Sequence, residues 1–179
     1  MNGKNTVLWI TRTAIFIALL IVWQAVTAPL GLTLLTGSGV NLLLIVSVMT
    51  CGPATGLTVA ALSPVLAKLV NIGPAFWTMI PFVMLGNIVL VLVWHIIGNR
   101  NIGRRYVAWV IALVAGAGLK FLVLYTGVVQ VAVPILLGLP EKQAAAVSAA
   151  FSVPQLFTAA IGGVLAILIL PLVKRAIKR

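Results

Sequence analysis

Apolar runs long enough to cross a bilayer alternate along this chain with short stretches rich in glycine, proline and basic residues. A hydrocarbon core about 30 Å thick takes roughly 20 helical residues to cross, so each long run predicts a transmembrane helix. The first covers residues 6–26, interrupted only by Thr11, Arg12, Thr13 and Gln24, and is expected to be retained, not cleaved as a signal. Residues 29–39 mix glycine, threonine and serine with leucine, and only 40–50 remain before Gly52-Pro53. A second helix so confined is too short to span alone, which predicts that 29–39 dips into the membrane or folds over an outer mouth. A third helix is expected over 54–72, a turn with Phe76 and Trp77 over 74–80, and a fourth helix over 82–97. The fifth is expected over 107–129 and the sixth over 144–173, with Pro134, Gly138 and Pro140 breaking the chain between them. The expected fold is an all-α membrane domain of six transmembrane helices filling residues 1–179.

Punctuation is densest between Gly37 and Asn87: Gly-Ser-Gly before Asn41, Gly52-Pro53, Gly73-Pro74, Pro81 and Gly86-Asn87. A lipid-facing helix must satisfy its own backbone, so breaks at this density are expected to be buried or to line a cavity. Orientation follows from the basic residues. Lys4, the stretch from Arg100 to Arg105, and Lys174, Arg175, Lys178 and Arg179 fall on one side of six crossings, whereas the opposite loops hold one, Lys142. That asymmetry predicts both termini in the cytoplasm.

Composition narrows the function. With 63% hydrophobic and 7% charged residues, no stretch is left over for a soluble domain. A net charge of +11 would point to nucleic acid in a soluble protein, but here the basic residues flank apolar segments as topology signals. Cys51 stands alone, and no histidine, cysteine or acidic cluster exists, so neither a disulfide framework nor a metal site or cofactor is expected. Glu141 is the one carboxylate side chain, which excludes paired-carboxylate and two-metal enzymes. His95 sits near the cytoplasmic end of the fourth helix without an acidic partner and reads as a boundary residue, and Trp94 beside it as an interfacial anchor.

The sharpest anomaly is the pair Lys68 and Lys120. An ammonium inside a bilayer costs about 2.5 to 3.5 kcal/mol on insertion scales, and Glu141 can serve at most one of them. Either a bound anionic ligand supplies the missing charge, most of all at the deeper Lys120, or the amines snorkel to the interface. The amides Asn41, Asn87, Gln130 and Gln155 are candidates for the same cavity, with Trp77 and Tyr125 as flat surfaces for a ring. Amides also bond neighbouring helices, and that reading stays open. Ala14 and Ala18, one helical turn apart, offer a small-residue face to another helix.

Taken together, Ala14 and Ala18, the stretch Gly37-Ser38-Gly39-Val40-Asn41, the run from Ile80-Pro81 to Leu85-Gly86-Asn87, and Pro154-Gln155 through Ala159-Ala160-Ile161-Gly162-Gly163 give a pattern that resembles the S components of energy-coupling factor (ECF) vitamin transporters. The resemblance covers the whole chain. It implies a membrane-embedded binder that captures a vitamin or related micronutrient outside and releases it inside, working with a transmembrane coupling subunit that packs on Ala14 and Ala18 and with two ATPase subunits. The chain has no phosphate-binding loop of its own. A solitary channel or a helix-bundle scaffold is the alternative.

Overall fold

The computed structural model describes residues 3–100 and 105–177, which are helical almost throughout. The α-helices are α1 (Gly3–Thr27), α2 (Thr33–Cys51), α3 (Pro53–Leu69), α4 (Ile80–Gly98), α5 (Arg105–Leu124), α6 (Glu141–Ala150) and α7 (Val153–Ile177). A π-helical stretch, Tyr125–Leu137, carries α5 onward past the end expected at Val129. Among the described residues five segments are long and apolar enough to cross a membrane: Asn5–Leu30, Thr33–Cys51, Trp77–Gly98, Tyr106–Leu137 and Glu141–Ala176. The 17 residues of α3 reach about 25 Å and complete the six-helix membrane bundle. α6 is a short helix outside it.

Three further sequence expectations are corrected. Residues 29–39 are not a long dipping loop: α2 begins at Thr33 and, at 19 residues, is long enough to span. Gly37, Ser38 and Gly39 stand within it because they make room for neighbouring helices, the use that small residues find where the backbone must bond to itself. The chain turns instead through Ala28–Leu30 and Gly31, whose φ of 67° is left-handed. Next, the expected helix over 144–173 is two helices divided at Phe151 and Ser152. Pro154 has no N–H to donate to the Ala150 carbonyl four residues back, and its ring crowds that carbonyl, so the ladder of α6 cannot run on into α7.

The third concerns Trp94, which is fully buried at the centre of the bundle instead of anchoring an interface. Space for its ring comes from glycines: a Cβ on Gly98, Gly116 or Gly163 would lie 3.4 Å from it. Around it pack Leu20, Leu44, Ile45, Val59, Leu90, Val91, Trp109 and Leu170.

The helices alternate in direction. Trp109, early in α5, donates its indole N–H to the Gly98 carbonyl at the end of α4 (3.0 Å), and Lys174, late in α7, lies 5.6 Å from the Trp109 ring. Asn5, Trp9 and Arg12 of α1 share a groove with Cys51 and Thr55 at the α2–α3 turn. Both ends of α1–α7 thus lie at one end of the bundle, the basal end; the other is the distal end. Of the basic residues behind the orientation expected above, Arg104, Lys178 and Arg179 lie outside the described residues, as do the side chains of Lys4 and Arg105. At the distal end a second apolar cluster of Met79, Leu124, Val128 and Val133, flanked by Phe76, Phe82 and Phe151, ties the π-helical stretch to the loop before α4.

Candidate functional site

Glycine governs how two helices meet at the distal end. A Cβ on Gly162 of α7 would fall 2.7 Å from both the Ser38 carbonyl oxygen and the Asn41 Cβ, and a Cβ on Gly37 of α2 would fall 2.7 Å from Thr158 Cγ2. α2 and α7 therefore touch nearly backbone to backbone, as small residues permit. Asn41, 1% exposed, is pressed by this crossing against α7, where its Nδ2 donates to Thr158 Oγ1 (3.3 Å). Thr158 in turn donates its hydroxyl to the Gln155 carbonyl (3.0 Å). With its nitrogen so committed, the Asn41 amide presents its oxygen to the opposite side.

Lys120 of α5 fills that side. Its Nζ donates to Asn41 Oδ1 at 2.5 Å and to Asn87 Oδ1 of α4 at 2.7 Å. Gly86 beside Asn87 brings α4 close, since a Cβ there would lie 3.1 Å from Leu124, one turn beyond Lys120. The lysine is 4% exposed, so it does not snorkel, and it makes no ion pair among the described residues. Two amide oxygens offset part of the desolvation of an ammonium but bring no opposite charge.

Above Lys120 opens a cavity of about 320 Å³, within the usual range for small-molecule sites. Its floor is Asn41, Asn87 and Lys120; its walls include Thr36 and Val40 of α2, Ser63 and Pro64 of α3, the loop segment 72–75, Phe151 at the α6–α7 break, and Pro154 and Gln155 in the first turn of α7. Of the residues singled out from sequence, the cavity thus gathers Asn41, Asn87, Lys120 and Gln155. It does not gather the others. Lys68 stands outside the lining and donates to the Ala75 carbonyl at 2.6 Å, holding the loop segment 72–75 to the end of α3. Trp77 is 55% exposed and outside the lining, Gln130 is exposed on the π-helical stretch, and Tyr125 stacks on Phe121 at 5.7 Å.

Thr158 and Ser63 were missed by sequence reasoning. Thr158 carried a signal, for Gln155, Thr158 and Gly162 stand at i, i+3 and i+7 and so share a helix face. Ser63 carried none beyond its neighbour Pro64. On the opposite flank Ala14 and Ala18 are exposed, on a helix whose apolar window is only 17% buried by the rest of the chain.

The fold is thus a polytopic helical bundle with a polar cavity at its distal end. The family described as ECF transporter, substrate-specific component, matches residues 9–174, and the chain belongs to that family. No curated protein and no solved structure matches it significantly.

Proposed function

We propose that this substrate-specific component captures a small anionic micronutrient of the vitamin class in the distal cavity, from outside the cell, and delivers it inward together with a transmembrane coupling subunit and two ATPase subunits. The observation that carries the reading is Lys120: a lysine buried among helices, held by two amide oxygens, at the floor of a cavity that no acidic residue lines among the described residues. Charge compensation then falls to the ligand. Arg12, Arg100, Lys174 and Arg175 lie toward the basal end, and the positive-inside rule turns that end to the cytoplasm and the cavity outward. The protein is accordingly read as a multi-pass component of a bacterial plasma membrane. Ala14 and Ala18, uncovered on α1, are the proposed seat of the coupling subunit.

The test is reconstitution. The chain alone in liposomes should bind ligand without sustained uptake, and co-expression with a coupling subunit and two ATPases should yield a complex whose uptake requires ATP. ATP-independent accumulation by the chain alone would overturn the reading.

A further inference from the structure

We propose, resting on the substrate-binding reading above, that the floor of the cavity is a two-donor clamp for one carboxylate, formed by Lys120 and the amide nitrogen of Asn87, and that the ligands are small monocarboxylates. Asn41 and Asn87 both give their oxygens to Lys120, yet they are not equivalent. The Asn41 nitrogen is engaged by Thr158. Asn87 is 3% exposed and lines the cavity, its oxygen is fixed on Lys120, and its NH2 donates to no group among the described residues. An ammonium has three N–H donors, and Lys120 uses two on protein. One N–H of Lys120 and the NH2 of Asn87 are therefore left on neighbouring side chains that line the cavity, joined through the 2.7 Å hydrogen bond from Lys120 Nζ to Asn87 Oδ1. A planar carboxylate matches such a pair, one oxygen for each donor. The first turn of α7, a helix of 25 residues, adds its positive end where Pro154 and Gln155 line the cavity.

Charge sets the class further. Lys120 is the one cation among the described residues lining the cavity, and no acidic residue joins it. A monocarboxylate neutralises it. A phosphate monoester would bring a second negative charge into a poorly screening site with no partner for it. Asn87 thereby selects the ligand class, because Asn87→Asp would replace the free donor with an acceptor and set an internal carboxylate beside Lys120, in the place the ligand should take.

The test is calorimetric titration of the purified full chain with matched probes that differ in one group: nicotinate and nicotinamide, biotin and biotinamide, pantothenate and its alcohol, with pyridoxal phosphate as the phosphate probe. At least one carboxylate should bind, and its neutral counterpart should bind about tenfold more weakly or worse, the low end of what a hydrogen bond to a charged group contributes. Asn87→Asp and Lys120→Met should each lose that carboxylate by about tenfold or more, while Asn87→Ser, which keeps one hydroxyl donor, should lose less. If either charge variant fails to fold, the probe pairs on the wild-type chain decide alone. Preference for a neutral or phosphate probe, binding of no carboxylate in the set, or undiminished carboxylate binding by a folded Asn87→Asp chain would overturn the clamp. Assembly with the coupling subunit and ATPases is scored separately. A chain that assembles but favours neutral probes refutes the clamp alone, and one that never assembles refutes the transport reading whatever it binds.

Discussion

Adding one methyl group at Gly162 tests the architecture of the site more sharply than removing any of its polar groups. A Cβ there would stand 2.7 Å from the Ser38 carbonyl oxygen and from Asn41 Cβ, and 3.0 Å from the Leu42 nitrogen, so none of the opposing atoms is the tip of a flexible side chain. Restoring ordinary contact near 3.5 Å requires α2 and α7 to part by roughly 0.8 Å, an overpacking cost of about 1–3 kcal/mol. Replacing a helical glycine by alanine returns about 1 kcal/mol. Net destabilisation of about 0–2 kcal/mol should lower the midpoint of thermal unfolding by at most several degrees. Binding should suffer more, because the same displacement carries Asn41 away from Lys120 and stretches a bond that now measures 2.5 Å. Gly118→Ala is the matched control, since a Cβ on Gly118 meets nothing within 4 Å; it should leave binding intact and stability unchanged or slightly raised. Thermal unfolding in detergent and ligand titration of both variants give the comparison. If Gly162→Ala binds as tightly as wild type and melts no earlier than Gly118→Ala, the crossing does not position Asn41.

Thr158→Val keeps the shape of the side chain but removes the acceptor of the Asn41 amide, so ligand affinity should fall by about 1 kcal/mol and the buried, unpaired N–H should lower the unfolding temperature as well; equal affinity would show that the hydroxyl does not orient Asn41. Ala14→Trp and Ala18→Trp should block assembly with the coupling subunit and abolish uptake while leaving binding at the distal cavity unchanged, and wild-type uptake by both would move that contact elsewhere. In a Cys51→Ser background, single cysteines at Asn99 and Lys142 should react from opposite faces with an impermeant thiol reagent; labelling of both from outside intact cells would refute the orientation.

Hydropathy alone gave the helical membrane bundle, because roughly 20 apolar residues in lipid have few alternatives to a helix. What glycine does could not be read one residue at a time. Gly52 ends α2 at a φ of 88°, the turn expected from Gly52-Pro53, yet Gly37 and Gly39 look the same in sequence and sit inside a helix, recessed for Thr158 and for Trp23. Trp94 likewise reads as an interface residue until Gly116 and Gly163, on two other helices, are seen to receive it. Lys120 was conspicuous from its charge, and Asn41 and Asn87 from their place in apolar runs. That the three converge depends on contacts across 79 and 33 residues of sequence, for which a single chain carries no local signal.

The backbone contact between α2 and α7 also decides where the protein can yield. Helices separated by long side chains can slide as rotamers exchange, but at Gly37 and Gly162 there is no such lubricant, so the two helices behave mechanically as one plank with Asn41 fastened to it. Any movement that admits a solute falls to parts not glued in this way. Those are the segment 72–75, tethered through Lys68 to the end of α3, and the joint at Phe151 and Ser152, both of which border the cavity. The floor of the site is fixed by that crossing, whereas the segment 72–75 beside it is held to α3 by Lys68 and by the Ile72 N–H on the Ala67 carbonyl.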